Sequence, residues 1–507
     1  MRLRRWIQPE ILIVLLALIA RTLPGPRTVD DAYITYRYAQ NLLTGNGMVY
    51  NPGEAVLGTT TPVYTVLLAG LGLFSGGPQA DFPVLSLIFN ALADTLTCWL
   101  LVRLGTTFGS RPSGLAAALV WAIAPWSVTF AIGGMETSLF VLLMTGTFYM
   151  HSKGKPVEAA FLASIALLTR PDALLFILPI LLERIRRGLA MKKHDNHSQP
   201  ITGIEVIVFC LPLLIWGVIG TYVYGNPIPH SIMAKVAAYR LTTEAGLIRL
   251  LQHYATPFLG HIIFDTWWIG VGLLLYPSLF LLGALIALRK DRGVWPLFAY
   301  PWIYLAAFAI ANPLIFRWYL TPPLPIYFLG IFLGSKRIGD DLKSRLPTLI
   351  LAGFAISSTL SGWTFRPDHG PHRPAPSMAY IQLELLYRQV AEVLQDQIGP
   401  GQTLAAGDIG ALGYYTGARI LDTLGLISPQ SLSYYPIPDE YYVINYAIPP
   451  ELVVDLQPDY LVILEVYGRN GLLIDQTFQE LYSQQMNFPT DIYGSKNMLV
   501  FKLAANP

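Results

Sequence analysis

Long apolar runs separated by short polar turns set the pattern of this chain. They cover 7–23, 84–105, 113–131, 136–150, 157–169, 172–183, 204–224, 267–288, 294–311, 319–334 and 346–363. A helix needs roughly 20 mostly apolar residues to cross a bilayer. The runs therefore predict a polytopic α-helical membrane protein with about eleven transmembrane helices. One further run, 60–75, is interrupted by Thr60, Thr61, Pro62, Gly70 and Gly72, and reads either as a span or as a helix lying at the interface.

Charge decides between these two readings. Cytoplasmic loops carry an excess of Lys and Arg, and Arg2, Arg4 and Arg5 place the N-terminus inside. If 60–75 crosses, Lys153, Lys155 and the basic run from Arg184 to Lys193 fall outside. If it does not, every basic cluster from Arg103 and Arg111 to Lys343 and Arg345 falls inside. The run 60–75 is therefore expected at the outer interface. Runs 157–169 and 172–183 flank Arg170-Pro171-Asp172, which is expected as a water-accessible turn on the outer side between two short helices. No clear small-x-small cleavage site follows 7–23, so that run is expected to stay as an anchor.

This topology leaves 24–59, 225–266 and everything after about Phe365 outside. The tail opens with a proline- and histidine-rich linker, 366-RPDHGPHRPAPS-377. A helical pattern follows at 379–397, with Tyr380, Leu383, Leu386, Tyr387, Val390, Val393 and Leu394 on one face. Short strand-like runs come at 403–406, 418–422, 460–464 and 498–502. The expected division is a transmembrane domain, 1–365, carrying the outer loop 24–75, and a C-terminal extracytoplasmic α/β domain, 366–507. The tail holds no cysteine, so packing must hold it together.

Composition agrees with the pattern. Hydrophobic residues make up 53% of the 507 and charged residues only 13%, where an ordinary soluble domain is about a quarter charged. Mean hydropathy is +0.47. A net charge of +2 without a basic stripe argues against a nucleic-acid partner. Cys98 and Cys210 both lie inside apolar runs, which excludes a disulfide framework.

The candidate chemistry starts at 29-VDDAYITYRYAQNLLTGNGMVYNPGE-54. Asp30 and Asp31 lie just beyond the first span, at the head of a helical pattern that Gly45-Asn46-Gly47 should end. The plain reading is that one Asp caps this helix. Two adjacent carboxylates beside an apolar surface exceed what a cap requires, because like charge and desolvation both raise their pKa. A raised carboxylate suits a general base.

Other ionisable groups fall on the same outer side: Glu136, Arg170, Asp172, His230, Lys235 and Arg317. Each alone is explained by capping or by snorkelling. Together, at membrane level, they form a functional hypothesis. A sugar linked through phosphate to a lipid carries its own leaving group. Its transfer needs a carboxylate, Asp30 or Asp31, to deprotonate the acceptor hydroxyl. It also needs cations such as Arg170, Lys235 or Arg317 to hold the phosphate. Tyr33, Arg37 and Tyr319 complete the substrate-binding candidates. Tyr33, Tyr36, Trp126, Trp318 and Tyr319 could stack on a sugar, although aromatics near membrane ends are more often interface anchors.

A divalent cation is weakly signalled: Asp, Glu and His on several outer loops offer oxygen-rich ligation, with no compact ligand spacing. Gly407-Asp408-Ile409-Gly410 looks like a piece of a phosphate-cradling turn. It is set aside because it falls on the outer face, where nucleotides are scarce.

The block DDAYITYRYAQNLLTGNGMVYNPGE followed by GTTTPVYTVLLAGLG resembles the start of bacterial C-type glycosyltransferases, and more narrowly the terminal arabinofuranosyltransferases of the mycobacterial cell wall. The similarity continues through GGMETSLFVLL, LLTRPDALLF, YGNPIPHSIMAKV, FRWYLTPPLP, GDIGALGYYTGARILDTLGL and PPELVVDLQPDYLVI. The resemblance implies a polyprenyl-phosphate sugar donor, a cell-surface glycan acceptor, and an outer domain that helps to bind the acceptor. It makes Asp30 and Asp31 the acidic pair of the first outer loop, one of them the base. It also implies a multi-pass protein of the bacterial plasma membrane, in contact with membrane lipid, with its N-terminus cytoplasmic and its C-terminal domain extracytoplasmic. It leaves the sugar open between arabinofuranose, mannose and others.

Two other classes remain in view. A transporter or flippase for a lipid-linked sugar would show internal repeats and charges near the bilayer midplane; the chain shows no repeat and places its charges at the outer edge. A catalytically dead scaffold would not need the acidic pair.

Overall fold

The structure is a computed structural model and describes residues 8–189, 200–367, 374–376 and 382–504. Arg2, Arg4, Arg5, Lys192, Lys193, Tyr380 and much of the linker 366–377 lie outside the described residues. The chain forms two compact units, and neither is contiguous in sequence. One gathers Met1–Arg27, Ser86–Ile215 and Thr243–Ala379; the other gathers Thr28–Leu85, Trp216–Thr242 and Tyr380–Pro507. The boundary expected at 365/366 is thus too simple: the segments 28–85 and 216–242 group with the tail.

Every apolar run is helical over most of its length. Proline repeatedly starts a helix, as at Pro9, Pro62, Pro125 and Pro156, where its fixed φ suits the first turn and its missing N–H is no loss. Proline also divides the run 113–131. Ala124 before Pro125 is extended, so the helices Arg111–Ile123 and Pro125–Ile132 meet at a 48° bend.

Length limits how many can cross. Among the described residues, Phe82–Thr107, Gly203–Tyr224, Trp267–Lys290 and Arg292–Ala311 are long and apolar enough, and the bent pair makes up to 5 if counted as one span. A helix such as Pro156–Thr169, with 14 residues, rises only about 21 Å, against a hydrocarbon core of about 30 Å. Pro62–Leu73, expected at the interface, is a helix of 12 residues.

In the first unit, helices approach through glycine. A Cβ on Gly105 would lie 2.5 Å from the Gly114 Cα, one on Gly283 would lie 2.0 Å from the Gly330 carbonyl oxygen, and one on Gly334 would lie 1.9 Å from the Leu279 carbonyl oxygen. Small residues at such crossings are the usual packing device of membrane helices. The same unit buries an ion pair. Arg21 Nε donates to Asp94 Oδ2 at 2.8 Å, its other nitrogens reach the Ala122 carbonyl and Ser127 Oγ, and Ser138 Oγ donates to Asp94.

The second unit is built on a sheet. In chain order the strands are β1 (Trp363–Pro367), β2 (Pro374–Pro376), β3 (Thr403–Ala406), β4 (Arg419–Asp422), β5 (Tyr460–Leu464), β6 (Tyr482–Pro489) and β7 (Asn497–Leu503). β1 and β2 pair with each other in the first unit. The other five form one sheet in the order β4-β3-β5-β7-β6, with β3 parallel to β4 and β5, and β7 antiparallel to β5 and β6.

The apolar runs expected as strands are β3, β4, β5 and β7. β6 escaped the sequence reading because it is a mostly exposed edge strand of composition YSQQMNFP, without the apolar alternation that marks a half-buried strand. The helix expected over 379–397 is described over Gln382–Leu394. Its buried face runs through Glu384, Tyr387, Val390 and Leu394, while Val393 is exposed.

Candidate active site

Asp30 and Asp31 open the helix Asp30–Leu43, whose N-cap is Val29, with no side-chain cap hydrogen bond. The plain expectation, that one Asp caps this helix, is therefore corrected. Asp30 caps a different one: its Oδ2 accepts from the Gly410 N–H and its Oδ1 from the Ala411 N–H, each at 2.8 Å. These are the first N–H groups of the helix Gly410–Thr416, which have no partner within their own helix and favour negative charge. As expected, Asp30–Leu43 stops before Gly45, which takes a φ of 83° that a residue with a side chain adopts at a cost.

The turn that delivers those N–H groups is the stretch set aside in the sequence. Its glycines make room for their neighbours. A Cβ on Gly407 would lie 2.8 Å from the Tyr446 ring, one on Gly410 would lie 1.8 Å from the Asp30 carbonyl oxygen, and one on Gly413 would lie 1.9 Å from the Tyr50 hydroxyl. Gly410 and Gly413 are thus bare where the segment 28–85 docks, and Gly407 where Tyr446 packs. Nothing in this turn requires a nucleotide.

The two aspartates differ in what they do. Asp30 is fully engaged. Burial, followed by the charge of Asp408, pushes its carboxyl up to about 8, against the two N–H donors, which pull it down. Asp31 points a partly exposed carboxylate towards Lys235, with Nζ and Oδ2 3.8 Å apart. Lys235 comes from the helix His230–Ala238.

Asp408, set aside with its turn in the sequence, is a third carboxylate beside the acidic pair. Its Oδ2 accepts from the Tyr387 hydroxyl at 2.7 Å and from the Tyr467 hydroxyl at 3.2 Å. Burial raises its carboxyl, the two tyrosines lower it, and the charge of Asp31 raises it. The second unit therefore holds three interacting carboxylates (Asp30, Asp31 and Asp408) and one cation beside Asp31.

Two expected substrate contacts turn out to be structural. Arg37 is buried, and its guanidinium donates to the carbonyls of Tyr50, Gly413 and Ala418 while lying over the Tyr50 ring. Three carbonyl acceptors leave it no fork for a phosphate. Tyr33 is 2% exposed. Its hydroxyl donates to Glu384 at 2.8 Å and meets the Tyr415 hydroxyl, and its ring packs on Tyr36, Tyr414 and Tyr415. It is therefore core and has no free face for a sugar.

Tyr36 is likewise fully buried. His230 donates its backbone N–H to the Leu57 carbonyl. Its Nε2 is buried without a partner, and burial lowers its pKa, which favours the neutral ring.

The first unit brings together another part of the expected set. Arg170 makes a two-pronged pair with Asp172, at 2.9 and 3.0 Å, and reaches Glu136 at 3.3 Å. The Tyr319 ring lies under its guanidinium at 4.9 Å, and the Tyr304 hydroxyl donates to the Tyr319 carbonyl at 2.6 Å. Glu136, Asp172 and Tyr319 thus all contact Arg170. With two carboxylates on one guanidinium, however, Arg170 is neutralised within the protein and is no open phosphate clamp.

Arg317 is half-buried in the turn Arg317–Leu320. Trp318 stacks on Phe316 at 4.6 Å. Trp126 meets His253 edge-on at 4.7 Å. Among the described residues, no group of three or more His, Cys, Asp or Glu side chains is arranged to hold a metal ion.

Comparison with known proteins fits this arrangement. Several solved structures match nearly the whole chain. ArnT from Cupriavidus metallidurans, bound to undecaprenyl phosphate, superimposes with a TM-score of 0.57 at 12% identity, covering 98% of both chains. The oligosaccharyltransferase AglB from Archaeoglobus fulgidus, in complex with an inhibitory peptide and a dolichol-phosphate, gives 0.57 at 12% identity, covering 98% of this chain and 74% of that one. The chain shares the fold of these two proteins. It is thus a polytopic membrane fold with a C-terminal domain.

At sequence level it is similar to the terminal beta-(1->2)-arabinofuranosyltransferase of Mycobacterium tuberculosis, 33% identical over 164 residues. The match spans 28% of this chain and only 26% of that relative's length. Residues 377–501 match a family described as a domain of unknown function, DUF8728.

Proposed function

We propose that this chain is an inverting glycosyltransferase of the bacterial plasma membrane. It would move a sugar (arabinofuranose, mannose or a similar residue) from a polyprenyl-phosphate donor to a cell-surface glycan on the outer face. The observation that carries the reading is the division of labour in the acidic pair: Asp30 is occupied by two backbone N–H groups, while Asp31 keeps a partly exposed carboxylate beside a single lysine. Asp31 is the base and Asp30 the clasp.

The step follows from that geometry. The donor phosphate replaces Asp31 as the counter-ion of Lys235, and so frees the carboxylate. Asp31 takes the proton of the acceptor hydroxyl as its oxygen forms a bond to the anomeric carbon. The bond from that carbon to the phosphate oxygen breaks, and its electron pair leaves on the polyprenyl phosphate. Attack and departure on opposite faces of the carbon invert its configuration. General-base help of this kind contributes about 10²–10⁴-fold in rate. The partial similarity to an arabinofuranosyltransferase and the fold of ArnT support the choice of lipid-linked donor.

The test uses wild type, Asp30→Asn and Asp31→Asn purified in detergent. Each is offered polyprenyl-phosphate arabinofuranose and mannose with a synthetic oligosaccharide acceptor, and products are read by mass spectrometry. Wild type should transfer. Asp31→Asn should bind donor but lose transfer without losing thermal stability, whereas Asp30→Asn should lose both together. Undiminished transfer by Asp31→Asn removes the base. No transfer by wild type with either donor, combined with lipid movement in liposomes, would put the flippase reading ahead.

A further inference from the structure

The region 377–501 matches a family whose function is undescribed, and it supplies the third carboxylate of the second unit. Asp408 is half-buried and held from one side. Both tyrosine hydroxyls donate to the same oxygen, Oδ2. Among the described residues no donor reaches Oδ1. The two tyrosines are themselves nearly fully buried, Tyr387 at 1% and Tyr467 at 6% exposure, so the carboxylate is fixed in direction as well as place. A carboxylate needed only to satisfy two hydroxyls could turn both oxygens to them.

The surroundings suit a sugar. Rings of Tyr239, Tyr446 and Tyr467 run in series, with centroids 6.1 and 5.1 Å apart. Gly407 is kept bare against Tyr446. Asp30 binds the turn two residues further on, so it anchors Asp408 in the unit that holds Asp31. Within this packed tyrosine wall, the fixed oxygen that no tyrosine engages is suited to a sugar hydroxyl, which donates to it in a charge-assisted bond.

We propose that Asp408 is a specificity-determining residue of the transfer reaction, its Oδ1 accepting a hydrogen bond from a non-reacting hydroxyl of the acceptor sugar. This rests on the glycosyltransferase reading. It gives the uncharacterised region a direct part in substrate binding.

The test is Asp408→Asn. The two tyrosines hold the amide oxygen in the place of Oδ2, which turns the free position from an anionic acceptor into a neutral donor. In steady-state transfer the acceptor KM should rise at least about tenfold, the effect of losing one hydrogen bond to a charged group, with the donor KM within twofold of wild type. An unchanged acceptor KM in a folded variant overturns the inference, and so does an equal rise for donor and acceptor. If Asp408→Asn is not recovered folded, Tyr467→Phe loosens the carboxylate and should raise the acceptor KM at least about threefold; no rise overturns it.

If wild type transfers nothing, the glycosyltransferase reading fails on its own terms. Calorimetric binding of synthetic arabinofuranosyl and mannosyl oligosaccharides to wild type and Asp408→Asn then decides the inference separately. Weaker binding by the variant supports it; equal or absent binding overturns it.

Discussion

The Asp30 carboxylate accepts the Gly410 N–H at 2.8 Å, and a Cβ at Gly410 would stand 1.8 Å from the Asp30 carbonyl oxygen. The acid and the glycine are a matched pair 380 positions apart. One supplies acceptor oxygens to a helix start, and the other supplies the space that lets it come near.

Gly410→Ala should therefore be costly. The obstructing atom is backbone, which cannot swing aside, so overpacking of about 1–3 kcal/mol is expected. Gly270→Ala is the control, since its Cβ would meet nothing within 4 Å and it sits in the helix Trp267–Lys290. Thermal midpoints in detergent should fall for Gly410→Ala and hold or rise for Gly270→Ala. Equal midpoints for Gly410→Ala and wild type would contradict the packing described.

Stability should decline with rising pH. The folded-state carboxyls of Asp30 and Asp422 are raised, by burial first, to about 8 and about 7. A raised group contributes fully below its unfolded value, near 4, and its contribution is lost as pH climbs through the folded value. The midpoint should drop between about pH 4 and pH 8, and Asp30→Asn should flatten part of that slope. A flat or rising midpoint over this range in wild type counts against the assignment.

Lys235 faces the partly exposed carboxylate of Asp31. Lys235→Met should raise the donor KM about tenfold or more, the loss of a charge-assisted contact to phosphate, while leaving the acceptor KM near wild type. A change confined to the acceptor would remove Lys235 from the donor phosphate.

Arg170 sits between Glu136 and Asp172, with side-chain exposures of 2%, 9% and 10%. Arg170→Leu removes the cation that both carboxylates contact. Removing one partner of a buried pair costs about 3–5 kcal/mol, so the variant should be recovered in low yield or with a strongly reduced midpoint. Arg170→Lys should lie between it and wild type, because one ammonium cannot reproduce the two-pronged bond to Asp172. Wild-type behaviour of Arg170→Leu would show that the cluster is dispensable.

The sequence by itself determined the helices and most of the strands. Apolar runs, prolines at helix starts and the glycines after Leu43 act locally: each fixes the conformation of its own few residues whatever surrounds them. The grouping of Glu136, Arg170 and Asp172 was legible too, because it depends on which helix ends share one side.

The tertiary structure alone decided which aspartate is free, why Arg37 and Tyr33 are occupied, and that Asp408 belongs beside Asp31. These depend on contacts between positions hundreds of residues apart, such as Asp30 with Gly410, Arg37 with Gly413 and Tyr33 with Glu384. A side chain's spare hydrogen-bonding capacity is what remains after such partners are counted, and no local pattern records them. The same holds for the number of crossings: apolarity can be read residue by residue, but Pro125 and the bend at Ala124 decide where a run becomes one helix or two.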